Sequence, residues 1–308
     1  MNSERLPPWL KVRLGAGERF NHVQDLARAG GLNTVCSHAR CPNAGECWSS
    51  GTATFMILGE TCTRACRFCS VPAGARPPAP DPQEPERLAQ SVAALGLRYA
   101  VLTTVCRDDL PDQGAGHAAA CLRAVRARCP KTRIEYLAQD FRGEEAPLQT
   151  VLCAEPDVFA HNIETVERLT PLVRDRRAGY ALSLQVLRTV RRLRPEMKLK
   201  SSIMLGLGET EEELFAAFKD LLAAGVSVLT LGQYLRPTRA PRHLPVSEFL
   251  PPARFAQLGR KAEAMGFEHA ASAPLVRSSY RASEAFGAED PSSQTPQPEN
   301  PRRKRTSQ

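Results

Sequence analysis

A chain of 308 residues, 42% hydrophobic and 24% charged, has ordinary globular composition and can bury one large core, or one core with extensions. No apolar run approaches the roughly 18 residues that span a membrane, and residues 1–11 resemble neither an export signal nor a transit segment; the sequence predicts a cytoplasmic protein without a membrane partner. Its net charge of +8 favours acidic partners or anionic ligands, but no basic stripe interleaved with aromatics points to nucleic acid.

In chain order, Val23, Leu26 and Ala27 predict a helical stretch near 20–28, stopped by Gly30 and Gly31. Cys36, Cys41 and Cys47 follow at C-x4-C-x5-C spacing, with no obvious fourth thiol. They suit either an iron–sulfur cluster or a zinc knuckle completed by His38.

From residue 51, short apolar runs alternate with helical stretches, the pattern of βα units with parallel strands. Strands are predicted near 54–58, 98–104, 132–137, 157–161, 199–205 and 227–232. Helices are predicted near 84–95, 115–128, 144–153, 163–172 with 181–193, and 210–224. The last is the best specified. Thr210 and Glu213 form a capping box, Leu214, Phe218, Leu221 and Leu222 an apolar stripe, and Gly225 the stop. A helix near 251–265 and an extended run near 266–270 close the body. Residues 71–82 are proline-rich and cannot be helical, and the polar stretch 289–308 is predicted to be disordered. Six βα units are too few for a closed eight-stranded barrel. They predict an α/β fold, a partial (β/α)6 TIM-like barrel with its site at the strand C-termini.

Cys62, Cys66 and Cys69 lie just after the first strand, at C-x3-C-x2-C spacing. Three thiolates on one loop can hold three irons of a 4Fe–4S cubane and leave the fourth open to a chelating small molecule. A zinc loop is the alternative, although zinc pairs usually have a second pair far away and none appears downstream. Without an export signal, six cysteines in two tight triplets read as metal or cluster ligands rather than disulfides. Cys106, Cys121, Cys129 and Cys153 are scattered and read as buried or surface thiols.

With Phe68 just before Cys69, this loop resembles the signature of the radical S-adenosylmethionine (SAM) enzymes, and the two triplets in this order resemble the lipoyl synthase family. The likeness continues through Pro8-Trp9-Leu10-Lys11, Cys41-Pro42-Asn43, the run from Gly51 to Gly59, Arg107-Asp108-Asp109-Leu110 and His161-Asn162-Ile163-Glu164. It extends through Met204 to Thr210, Gly232-Gln233-Tyr234-Leu235, His243-Leu244-Pro245-Val246 and Arg277-Ser278-Ser279-Tyr280, covering roughly residues 7–282.

The resemblance implies two 4Fe–4S clusters. Cys62, Cys66 and Cys69 would hold the SAM-binding one. Cys36, Cys41 and Cys47, with Ser279 on the fourth iron, would hold an auxiliary one that donates sulfur. It implies insertion of sulfur at C6 and C8 of an octanoyl group on a carrier lysine, by SAM-derived 5′-deoxyadenosyl radicals. Its partners would be octanoylated lipoyl-carrier domains (dehydrogenase-complex E2 subunits and the glycine cleavage H protein), an electron donor and an iron–sulfur cluster carrier. Residues 1–50 and 271–288 would then be extensions that meet over the mouth of the barrel at 51–270.

Weaker assignments place Thr103 and Thr104 at the methionine amino group of SAM, Asn162 and Glu164 at its ribose, Gly206 and Gly208 at a close backbone approach, and Tyr234 and Leu235 beside adenine; ordinary packing or capping is the alternative for each. Arg107 and Asp108 would orient SAM or substrate. Cys106, Gln113, Ala138, Gln139 and Ala160 depart from the family pattern, all near predicted strand ends. Without the extended motifs, the residues leave open a two-cluster electron carrier, a zinc-stabilised binding module, or sulfur insertion into another substrate.

Overall fold

The computed structural model describes residues 6–11, 33–34, 43, 47 and 52–280. The predicted helix near 20–28, Cys36, His38, Cys41 and the stretch 289–308 lie outside the described residues.

One sheet holds eight strands in sequence order. The short β1 (Asn33–Thr34) is antiparallel to β2 (Thr52–Ile57). From β2 the sheet runs parallel through β3 (Tyr99–Thr104), β4 (Arg133–Leu137), β5 (Val158–Ala160), β6 (Lys198–Leu205), β7 (Val228–Gln233) and β8 (His269–Ser272). The helices between them are α1 (Glu84–Ala94), α2 (Ala115–Arg128), α3 (Glu145–Leu152), α4 (Thr170–Val173), α5 (Tyr180–Leu193), α6 (Glu211–Ala223) and α7 (Pro252–Met265). Parallel neighbours need such crossovers, because a tight turn cannot return the chain to the same edge. Among the described residues no pairing joins β8 back to β2, so the barrel is open.

Period-two alternation separates two apolar layers. Ala53, Phe55 and Ile57 of β2 and Ala100 and Leu102 of β3 pack with Leu88 and Val92 of α1 and Leu122 of α2. On the opposite face Tyr99 and Val101 meet Val158. That inner face also carries charge. Lys200 on β6 reaches across β5 to Glu135 on β4, with both carboxylate oxygens about 3 Å away (2.9 and 3.0 Å), and Tyr99 donates to the same carboxylate at 2.8 Å. The pair is almost wholly buried, and these hydrogen bonds offset its desolvation.

The predicted capping box is formed, with Thr210 accepting from the Glu213 amide and Glu213 from the Thr210 amide. Two predicted elements differ. The run near 266–270 is a seventh parallel strand, β8; His-Ala-Ala-Ser is half-buried and lacks an apolar alternation that would announce it. The helix expected over 163–172 is a loop, a 3-10 turn at Glu167–Leu169 and the short α4. Glu164 takes a left-handed φ of 68° and forms a bridge with Ile203 of β6, which a helix would forbid.

After β8 the chain doubles back over β7. The Gln233 amide donates to Pro274 O at 3.1 Å, and a Cβ on Gly232 would lie 2.0 Å from Val276 O, so only glycine admits this path. The segment then reaches β2, where the Thr54 hydroxyl donates to Ser279 Oγ at 2.9 Å. It thereby links the two sides of the open sheet. Gly232→Ala should lower stability by about 1–3 kcal/mol and raise amide exchange across 274–280, while β2 to β6 stay protected. Exchange mass spectrometry checks this, and unchanged exchange across 274–280 would contradict the seating.

Candidate functional site

The three thiols are delivered by an abrupt strand end. Leu58 and Gly59 both adopt positive φ (70° and 94°), and the Leu58 amide donates to Glu84 at 3.0 Å. The loop that follows spans the mouth. Thr63 N donates to Cys106 O after β3 and Arg67 N to Val173 O after β5, both at 2.9 Å; Leu244 N, after β7, donates to Arg67 O at 3.3 Å. His243 Nε2 lies 3.1 Å from Cys69 O. Three other strand-end loops therefore fix this one.

Arg64, midway between Cys62 and Cys66, is the central tie. Its buried guanidinium donates through Nε and Nη2 to both oxygens of Asp108, at 3.0 and 2.9 Å, and pairs with both oxygens of Asp140. Thr63 Oγ1 lies 2.7 Å from Asp108. Burial alone would raise the Asp108 pKa, but hydrogen bonds from Arg64 and Thr63 hold it down at about 2. Asp140 is likewise lowered by Arg64 against its own desolvation. Arg107 is occupied elsewhere, donating to both oxygens of Asp109 at 2.8 Å and to Leu58 O at 3.2 Å. The Arg-Asp-Asp run thus braces the loop. The sequence marks this tie only by an arginine between two of the cysteines and by aspartates a few residues after β3 and β4.

The donor set fits a cluster. Cys62 Sγ accepts backbone N–H bonds from Arg64 and Cys106 at 3.4 and 3.3 Å, and Cys66 Sγ accepts one from Asp175 at 3.3 Å. A hydrogen bond from the Cys106 side chain, with those amides, brings the Cys62 pKa down to about 6 against its burial. Burial pushes Cys69 up to about 12 and raises Cys66. The three sulfurs do not converge within 4.8 Å of one another, whereas a single zinc holds thiolates at about 2.3 Å. A cubane, which offers each thiolate its own iron, suits this spread. Another ligand-type group, Glu84 with His117 and Cys121, lies on α1 and α2; there His117 Nε2 bonds Glu84 directly at 2.6 Å.

The structure brings some expected SAM contacts to this loop. Asn162 and Glu164 follow β5; Glu164 bonds Asn162, and its charge bears on Cys66 and Cys69. Burial raises the Glu164 pKa. Asn162 Oδ1 is a buried acceptor without a donor in the protein, as a ligand hydroxyl would require. Thr103 lies on the inner face and donates to Leu137 O at 3.2 Å. Thr104 instead faces Tyr136 on the helix side. Tyr234 is buried in the core with its hydroxyl on Leu244 O at 2.8 Å, while Leu235 is half-buried. Gly206 is needed for the protein's own packing, since a Cβ there would lie 2.2 Å from Gln233 Nε2; Gly208 has only ordinary contact, 3.5 Å from Ser247 Oγ.

The atypical positions meet one another. Gln113 has a left-handed φ of 54°, where glycine would be unstrained, and its carbonyl accepts from Gln139 Nε2 at 2.5 Å. Ala138 O lies 2.9 Å from His161 Nδ1, and Ser183 Oγ lies 2.9 Å from Nε2. Burial and Arg174 lower the His161 pKa to about 4. Neutral His161 therefore donates from Nδ1 and accepts at Nε2, tying the end of β4 to α5.

Of the auxiliary set, Cys47 is half-buried against the main core. Asn43 Nδ2 donates to Leu275 O at 2.5 Å, so the N-terminal segment touches the strap that carries Ser279.

Arg64→Ala should cost about 3–5 kcal/mol, the usual penalty for leaving buried partners uncompensated, and lower iron content after reconstitution. Asp108 and Asp140 have depressed pKa values, so the contribution of each is full above about pH 4 and is lost as pH falls through its folded value, about 2 for Asp108. In Arg64→Ala the slope of stability across that window should flatten. Urea unfolding at several pH values and iron analysis check both.

The family model of the radical SAM superfamily matches residues 56–221. Lipoyl synthases from Thermus thermophilus and Myxococcus xanthus are 52% and 55% identical to this chain, over 91% and 92% of it and 86% and 94% of their own lengths. The mitochondrial lipoyl synthase of Culex quinquefasciatus is 51% identical over 92% of this chain and 75% of its own. Among solved structures, Streptococcus suis SuiB bound to its precursor peptide SuiA superposes with a TM-score of 0.53 at 9% identity, covering 72% of this chain and 49% of that one. The hydrogenase maturase HydG of Carboxydothermus hydrogenoformans gives 0.50 at 10%, covering 70% and 56%. These two likenesses show the fold. The family model and the identities over most of its length place the chain in the radical SAM superfamily and, within it, in the lipoyl synthase family, whose cofactors are SAM and 4Fe–4S clusters.

Proposed function

We propose that this chain inserts two sulfur atoms, at C6 and C8, into an octanoyl group carried on a lysine of a lipoyl-carrier protein. The observation that carries the reading is the double use of β2. Its C-terminal end launches the cysteine loop, and its Thr54 holds Ser279. Residues of both expected cluster sites are therefore anchored to one strand.

In this reading Cys62, Cys66 and Cys69 hold the SAM-binding cluster, which with SAM supplies the 5′-deoxyadenosyl radical. Amide donors on Cys62 and Cys66 stabilise the thiolates. Asn162 and Glu164 offer acceptors for ribose hydroxyls, and Thr103 lies on the inner face of the sheet. Cys36, Cys41, Cys47 and Ser279 hold the auxiliary cluster that donates sulfur. Ser279 supplies a hard oxygen among soft thiolates, a ligand suited to leave as that cluster is used up. Residues 1–50 and 271–288 form the sulfur-donor half, and the barrel at 51–270 the radical half.

The expected carriers are E2 subunits and the glycine cleavage H protein, with an electron donor and a cluster carrier as further partners. Among the described residues no helix is long and apolar enough to cross a membrane. The reducing cytoplasm suits so many thiols.

Under anaerobic conditions, with SAM, dithionite and an octanoylated carrier peptide, mass spectrometry should show 5′-deoxyadenosine and a product gaining two sulfurs. Replacing Cys36, Cys41 and Cys47 with alanine should leave SAM cleavage and abolish insertion. Persistent insertion would remove the auxiliary cluster as donor.

A further inference from the structure

Glu84, His117 and Cys121 form a cluster that neither cysteine triplet uses. Glu84 opens α1, and His117 and Cys121 stand about one turn apart on α2, which puts them on one face of that helix. One ligand atom from each of the three lies within 4.8 Å of the other two. The setting is not a solvated acidic surface. Cys121 and Glu84 are buried and His117 is half-buried. His117 Nε2 lies 2.6 Å from Glu84 Oε2, and the same oxygen accepts from the Leu58 amide at 3.0 Å. Both bonds fall on one carboxylate oxygen, which leaves Oε1 for a ligand. A carboxylate–imidazole pair is complete without a thiol. The buried sulfur beside it adds a third ligand type, softer than the other two.

We propose that Glu84, His117 and Cys121 bind one zinc ion. Carboxylate oxygen, imidazole nitrogen and thiolate sulfur are all zinc ligands, and a set with sulfur and nitrogen in it disfavours magnesium and calcium. Two tetrahedral ligands at zinc distances stand about 3.3 Å apart. The 2.6 Å contact of His117 with Glu84 is therefore that of the metal-free pair, and it opens on binding. Zinc replaces the proton between them. Neutral His117 then carries its proton on Nδ1, and the Cys121 thiol proton is released to solvent. The Glu84 carboxylate and the Cys121 thiolate cancel the two charges of the ion, as a buried site requires. Water takes the fourth position. The site shares no residue with either triplet but reaches one of them through Leu58. Glu84 holds the amide of that residue, where the chain leaves β2 at a φ of 70°. The ion thus braces the strand end from which the loop of Cys62, Cys66 and Cys69 departs.

The test uses full-length protein loaded with iron and sulfide, then incubated with zinc chloride and desalted. Elemental analysis should return one more zinc per chain for wild type than for Cys121→Ser or His117→Ala. Zinc-edge X-ray absorption should show one sulfur at about 2.3 Å, with nitrogen and oxygen at about 2.0–2.2 Å. Each substitution should weaken zinc binding roughly tenfold or more, with iron content at the wild-type level. Zinc should also slow amide exchange across 57–59 in wild type and not in the variants. Cys121→Ser keeps the Glu84–His117 pair, so its loss of zinc reports a lost ligand rather than a lost fold. Wild type that retains no zinc overturns the proposal, as does equal zinc in wild type and both variants, or a zinc shell without sulfur. A chain that takes up no iron yet binds zinc in this pattern would uphold the site and overturn the reading of the cysteine triplets instead.

Discussion

The Arg64 guanidinium, clamped between Asp108 and Asp140, is the constraint on which the site depends. A loop of this length loses about 1–2 kcal/mol of backbone freedom per residue when it is ordered, and three thiolates on it repel one another. A planar fork answers both problems. It bonds two rigid strand ends in fixed directions, and it places a positive charge among groups that must be negative. The loop's remaining ties, to Cys106, Val173 and Leu244, then follow in register.

The two halves of the site are built by different physics. The loop of Cys62, Cys66 and Cys69 is held by buried ion pairs and by backbone bonds to loops after β3, β5 and β7. Among the described residues, the strap that carries Ser279 is tied down by long-range contacts, Asn43 to Leu275 and Thr54 to Ser279, and by a steric allowance at Gly232.

Much of the fold was legible because its signals are local. Alternating apolar runs placed β2 through β7, and the Thr210–Glu213 capping box placed the start of α6. The extended run expected near 266–270 was not counted as a sheet strand, because the small residues of β8, His269–Ser272, make no period. The helix expected over 163–172 failed at Glu164, whose conformation is set by pairing with β6 rather than by its neighbours. For the site, thiol spacing was readable, since ligation imposes it along the chain. Ser279 was reachable only by likeness, because its position depends on a strap that crosses from β7 to β2. The Arg64 clamp joins residues 44 and 76 positions apart, beyond any sequence period. Thr104 and Tyr234 sit beside the expected ligand site in sequence, but strand alternation and core packing turn them away.

The open gap between β8 and β2 has a consequence for how such a chain can diversify. In most barrels the loops after the strands are interchangeable parts, because each hangs from its own strand. Here the loops after β3, β4, β5 and β7 are all fasteners of the loop after β2, so lengthening any one of them would pull on the thiols.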